Sequence, residues 1–368
     1  METTIRTSEP RELLALIPYQ LGFEPTSSAV VLSVRRTRSR IGLVARVDLA
    51  DLQDPDRGPQ VARSLVGHLV QDGARSTVLV LYTDADLQAD PGPGRVAREH
   101  LATAAEHFLG EPDVWVVTPH GYYALDCGDA ACCPPGGRPL TDLQSTQVGA
   151  QMVLTGVQVV ASRDQLVRLD PAHPAARRSA RRAAARWRAH LERADGSTAL
   201  HRWRRESLAL WRAELARVEA GTVVADPNRV GRLQAALGDV LVRDAVMLAF
   251  VAGTDRLADR VVAGYGGPDV SRALRAIIDP TLGTAPDPAR TAPARALLHE
   301  VAAHTTLPHQ APALTLLAVL AWWEGDGARA AVLVERAQRA EPAYRLADLL
   351  DQTLAAGMPP GWLRARGA

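Results

Sequence analysis

Lysine is absent from this 368-residue chain, so all 42 of its basic residues are arginine. A Walker-A phosphate loop, a kinase-type lysine and a Schiff-base lysine all need an amine that an always-charged guanidinium cannot replace. Pyridoxal phosphate chemistry and P-loop nucleotide binding are excluded on that ground. Alongside the excess of Ala, Leu, Val and Gly, the replacement of lysine by arginine is the residue usage of a GC-rich genome. No stretch approaches the roughly 18 consecutive apolar residues of a membrane-spanning helix. The opening METTIRTSEPRELLALIPYQ has neither a long apolar run nor a small-residue cleavage site, so a cytoplasmic protein without membrane contact is expected. Cysteine is scarce as well. The three present fall within seven positions, an odd number that does not read as a secreted disulfide framework and fits reducing surroundings.

What is present is ordinary for a globular protein: 47% hydrophobic residues, 23% charged and a net charge of +1. The balance argues against a whole-molecule polyanion binder. The length suits two domains. In the first half, a short helix (11–17) leads through a turn carrying Gly22 and Pro25 to strand-like runs at 29–34 and 41–49, joined as a hairpin by RRTRSR. Helix 59–71, strand 77–82, helix 95–109 and strand 114–117 follow. After them come a returning strand, 122–125, and a last strand-like run, 156–161. Alternating strands and helices imply parallel crossovers, so the strands at 41, 77 and 114 should share one direction. Residues 1–170 therefore read as an α/β domain, with a mixed, mainly parallel sheet and helices on its faces.

Residues 171–368 read as an all-helical domain. Helical periodicity appears at 174–194, 199–219, 228–262, 268–278, 293–305, 311–324, 328–340 and 343–356, with a Pro-rich linker near 281–293. The pair around Gly325-Asp-Gly327 has the pattern of a single tetratricopeptide unit, which without tandem copies should pack as a terminal helical hairpin.

Three stretches together resemble an actinobacterial family catalogued as domain of unknown function 4192. The first is Pro18-Tyr-Gln-Leu21-Gly22-Phe23-Glu-Pro25-Thr-Ser-Ser28 with Ala45-Arg46-Val47-Asp48-Leu49. The second is Cys127-Gly-Asp-Ala-Ala-Cys132-Cys133-Pro134-Pro135-Gly-Gly137-Arg-Pro. The third is Ala321-Trp322-Trp323 with Gly325-Asp-Gly327 and Ala343-Tyr344-Arg345-Leu346-Ala347. The resemblance implies no known activity.

Three candidate sites emerge. Parallel strands would gather Asp48, Asp51, Asp84, Asp86 and His120 at one carboxyl edge, together with the turn Leu21, Gly22, Phe23, Pro25. With Ser28 and Arg46 this makes a candidate ligand pocket, where carboxylates could hold Mg²⁺. Equally, an Asp just after a strand serves as a turn residue or helix cap. Cys127, Cys132 and Cys133 offer zinc ligands or a disulfide made and broken by exchange. The adjacency of two of them is poor for zinc, and His120 should lie too far away to be a fourth ligand. They equally suit small residues shaping a Pro-Pro-Gly-Gly loop. Between 174 and 217, twelve arginines face four acids, with tryptophans interleaved. Arg181, Arg182, Arg186 and Trp187 are the nucleic-acid candidates, although Trp203 and Trp211 are spaced to share one buried face with Leu200, Leu208 and Leu215. The leading expectation is a non-enzymatic binding or regulatory protein whose C-terminal helices engage a protein partner. A thiol or metal centre comes second and nucleic-acid binding third.

Overall fold

The computed structural model describes residues 9–35, 41–193, 197–221, 226–279 and 283–363. It divides into two units, Met1–Leu166 and Val167–Ala368.

In the first unit, α1 (Pro10–Leu21) begins on a proline that needs no donor partner and outruns the expected helix by four residues. Pro18 does not stop it. The stop is Gly22, whose left-handed φ of 78° lets its N–H reach Pro18 O at 2.7 Å. Strands β1 (Ser28–Arg35) and β2 (Ile41–Asp48) form the expected antiparallel pair. The residues between them, 36–40, lie outside the described residues. Then come α2 (Leu49–Gln53), α3 (Gly58–Gln71), β3 (Ala74–Tyr82), α4 (Gly92–Ala105), β4 (Asp113–Val117) and β5 (Tyr122–Ala124). The short helices α5 (Thr141–Gln144) and α6 (Gln147–Leu154) close the unit.

The strand order is β2-β1-β3-β4-β5. Strands β2, β3 and β4 do share one direction, since β1 is antiparallel to both β2 and β3, and β3 is parallel to β4. The expectation of a mainly parallel sheet is nevertheless corrected. Strand β1 inserts between β2 and β3, so only β3 and β4 pair in parallel. A second correction concerns 156–161, which is not a strand of the sheet. Val160 is tied only to the turn after α1, through Glu24 N–H to Val160 O (2.9 Å) and Val160 N–H to Gly22 O (3.0 Å). The outer side of β5 is occupied instead by Arg138, which exchanges two backbone hydrogen bonds with Tyr122, both 2.9 Å.

Strand β1 is apolar on both faces because both are covered. Ala29 and Val31 pack with Leu52, Leu69, Leu79, Leu81 and Leu101 in the core under α2, α3 and α4, while Val30 and Leu32 on the other face are equally inaccessible. At the amino-terminal edge of β3, Asp72 pairs with Arg35 and accepts from Leu43 N–H at 2.9 Å. Burial alone would raise its pKa; hydrogen bonds from Arg35, Ser33 and Leu43, with the arginine charge, outweigh that and leave it below the ordinary value. A depressed carboxylate stabilises the fold above its unfolded pKa, and the stabilisation is lost as pH falls through the folded one. Asp72→Asn is therefore expected to lower stability at pH 7 and to flatten its acid dependence below about pH 4. Unchanged acid unfolding would contradict this assignment.

The second unit is helical, and among the described residues it contains no strand: α7 (Pro174–Glu192), α8 (Ser197–Glu219), α9 (Pro227–Ala236), α10 (Val240–Leu248), α11 (Asp255–Val262), α12 (Pro268–Ile278), α13 (Pro288–His304), α14 (Ala311–Trp323), α15 (Gly327–Ala340) and α16 (Arg345–Ala355). The segment 228–262 is thus three helices rather than one. Asp239 restarts the chain by accepting from Leu241 and Val242 N–H, and Gly253, at φ 79°, breaks it again. The linker near 281–293 is shorter than expected: 280–282 lie outside the described residues, and Asp287 caps α13, which is already helical from Pro288.

Helices α14 and α15 follow one another across Gly325-Asp-Gly327, with Asp326 accepting from Arg329 N–H at the start of the second. Every residue of α14 is buried. Trp203, Trp211 and Leu208 share the buried face of α8, as their spacing implies, while Leu200 and Leu215 are only partly covered. Helices α7 and α9 meet at Gly231, where a Cβ would lie 2.1 Å from Ala180 O, so only glycine allows the approach.

Candidate functional site

The three cysteines converge. Strand β5 delivers Cys127, and a turn built on Asp129 returns Cys132 and Cys133: their N–H groups donate to Asp129 O at 3.0 and 2.7 Å, and the Asp129 carboxylate accepts from Ala131 N–H at 2.8 Å. All three Sγ atoms lie within 4.8 Å of one another, with 4.0 Å between Cys132 and Cys133. Among the described residues no fourth His, Cys, Asp or Glu joins that group, and His120 stays outside it. Cys133 is buried in the core under α4, while Cys127 and Cys132 are half-buried at its rim.

The loop is held from two sides by residues that sequence spacing could not nominate. Arg138 donates from Nε to Cys132 O (2.6 Å) and brings Nη2 to within 3.6 Å of Cys132 Sγ, placing a fixed positive charge beside the sulfurs. Gln88, before α4, donates to Pro134 O (3.2 Å) and accepts from Gly136 N–H (2.8 Å), closing the Pro-Pro-Gly-Gly segment like a clasp. The left-handed φ of Gly137, 85°, lets the chain turn back onto Tyr122. Hydrogen bonds at Asp129 and from the Cys133 thiol hold Cys127 below the ordinary thiol pKa, whereas burial pushes Cys133 up to about 11.

One family model matches the chain from residue 10 to residue 361, spanning both units and the cysteine loop. The chain belongs to the family described as Domain of unknown function (DUF4192). No curated protein and no solved structure matches it.

Several of the residues expected at the carboxyl edge are paired with near neighbours. Arg46 donates from Nε to Ser28 Oγ (2.8 Å) and pairs with Asp48 at 2.6 Å, while Ser28 donates to Thr26 O. Asp51 pairs with Arg57, and Asp86 accepts from Gln88 and Ala89 N–H as a turn residue. Asp84 and His120 are exposed, and Leu21, Phe23 and Pro25 are buried around the half-buried Gly22. In the arginine-rich region, Arg181, Arg182 and Arg186 are exposed on α7. Trp187 is 9% accessible, with its ring stacked on Trp203 at 5.8 Å and covered by Arg232 at 3.9 Å, so it is not presented to a base. No helix is long and apolar enough to cross a membrane among the described residues.

Proposed function

We propose that the protein is a metal-thiolate binding protein in which Cys127, Cys132 and Cys133 hold a soft ion of the zinc class, without an enzymatic role for the carboxyl edge. The convergence of the three Sγ atoms carries this reading. Thiolates around zinc at about 2.3 Å stand about 3.8 Å apart, close to the 4.0 Å between Cys132 and Cys133, so the adjacency of these two residues is no obstacle. Three thiolates and a divalent cation leave one negative charge, and Arg138 supplies the compensating positive one. Three protein ligands would also leave a fourth position for water or an incoming ligand. The ion would fasten the end of β5 to the loop beyond it. At the carboxyl edge, by contrast, Arg46 is already engaged by Ser28 and Asp48.

Cobalt(II) titration of the reduced full-length protein tests the proposal. A one-to-one complex with thiolate-to-cobalt charge-transfer absorption, displaced by zinc, is expected, and each single Cys→Ser change should weaken zinc binding at least about tenfold. Absence of a stoichiometric complex, or equal binding by the triple serine variant, would overturn it.

A second reading draws on the depressed thiol of Cys127 beside Cys132 and Cys133. Two of the three could form a disulfide by exchange with a disulfide-bearing partner, which leaves as a dithiol, so that electrons and protons balance. Intact-mass measurement separates the two readings. Two protons missing until reduction supports exchange, whereas three thiols and one bound metal ion supports the thiolate centre.

A further inference from the structure

A cavity of about 270 Å³ opens in the helical unit between α7, α9 and the segment joining α13 to α14. Its lining includes Arg181, Arg188, Gln234, Thr306 and His309, and it contains no Asp or Glu. Arg181 and Arg188 are seven residues apart, two helical turns, so they stand on one face of α7. Neither has a hydrogen-bonding or ion-paired partner among the described residues; Arg181 is exposed and Arg188 half-buried. Elsewhere in this unit Arg204 pairs with Asp239, Arg212 with Asp259 and Arg229 with Glu214. The second cavity, beside α8, shows the contrast: Arg212 and Arg290 line it, but Asp255 lines it too and pairs with Arg290.

Two arginines lining one concavity, with a side-chain amide, a hydroxyl and an imidazole around it, match the donor set that recognises a dianion with several acceptor oxygens. We propose that this cavity binds a small molecule bearing a phosphate monoester, with Arg181 and Arg188 clamping the phosphate. The volume exceeds what phosphate alone fills, which leaves room for a small organic moiety against Val230 and Leu307. The proposal is independent of the cysteine loop, which belongs to the other unit.

The charge at the site is legible in a neighbouring group. His309 is held below the ordinary histidine pKa by burial and by the positive charge of Arg188, with Glu341 pulling the other way. A bound phosphate would offset Arg188, so the His309 imidazole should titrate at higher pH in its presence.

The test uses full-length protein and three probes: inorganic phosphate, a panel of sugar and nucleoside monophosphates, and a dicarboxylate of similar length. Calorimetry should give saturable binding of at least one monoester, tighter than phosphate alone. Arg188→Gln and Arg181→Gln should each weaken it at least tenfold, with the melting curve unchanged because neither side chain has a partner to lose. Histidine-selective NMR should show the His309 pKa rising on addition of the monoester in the native protein but not in the double variant. Should either arginine variant misfold, His309→Gln, which leaves both arginines in place, should still weaken binding. Free phosphate binding as tightly as every monoester would restrict the site to the inorganic ion and overturn the organic part. Tighter dicarboxylate binding, or no saturable binding by any monoester, would overturn the whole. So would oligonucleotide binding that survives Arg188→Gln but is lost on changing Arg182 and Arg186, because it would assign the charge to the outer face of α7.

Discussion

Stripping zinc from the reduced protein with a chelator is expected to lower the unfolding midpoint of the N-terminal unit by on the order of 10 °C, and restoring zinc should recover it. The magnitude follows from linkage. A ligand that binds only the folded state at a thousand times its Kd contributes about 4 kcal/mol, and each kcal/mol moves the midpoint of a domain of this size by roughly 2–4 °C. The cysteine loop is anchored mainly by side chains at its rim. Beyond Asp129, Arg138 and Gln88 it has few anchors, and Cys127 and Cys132 remain partly exposed. Hydrogen exchange is the direct readout, because the Cys132 and Cys133 amides are bonded to Asp129 O and should exchange faster without metal. Cys133→Ser should sit at the chelated midpoint whether or not zinc is added. A midpoint insensitive to chelator, with unchanged exchange at these two amides, would sink the zinc-class centre.

Trp323→Ala should be the most damaging single change in the helical unit, at about 3–5 kcal/mol. The side chain is 1% accessible on a helix buried all round, and its Nε1 donates to Thr284 O at 2.9 Å. Truncation opens a large cavity and leaves that carbonyl without its donor. Trp323→Phe keeps most of the volume but not the N–H, and should cost about 1–2 kcal/mol more than a neutral change. Leu349→Ala, on the 49% exposed residue of α16, is the control, expected within about 0.5 kcal/mol of the native protein. Denaturant unfolding followed by the far-UV helical signal measures all three. A Trp323→Ala loss below about 1 kcal/mol would contradict the central role assigned to α14.

The sequence conveyed more of the elements than of their arrangement. Strands at 41, 77 and 114 were legible as co-directional because intervening helical segments demand crossovers, yet nothing local shows that β1 slips between β2 and β3. The run 156–161 has strand composition, but an apolar run becomes a strand only where an edge is open to it, and Arg138 already holds the outer side of β5. The long 228–262 pattern concealed two breaks, since Asp239 and Gly253 interrupt helices without disturbing the apolar periodicity. The cysteine loop was legible as a cluster. Its geometry was not, because it rests on Gln88 and Arg138 reaching across from other elements. Trp187 shows the same limit in reverse: its setting among arginines suggests an exposed stacking face, whereas its packing against Trp203 and Arg232 depends on α8 and α9.

The sequence by itself determined the exclusion of lysine chemistry, the division into an α/β half and a helical half, the break between helices at Gly325, and the presence of three thiols in one short loop. These are properties of residue type and near-neighbour spacing, governed by backbone freedom, hydrogen-bonding capacity and apolar periodicity. Only the tertiary structure decided that the three thiols meet within 4.8 Å, that Arg46 pairs with Asp48 and reaches Ser28, and that Arg181 and Arg188 flank a cavity without a carboxylate. Those facts depend on which distant side chains arrive at the same place, and long-range packing sets that.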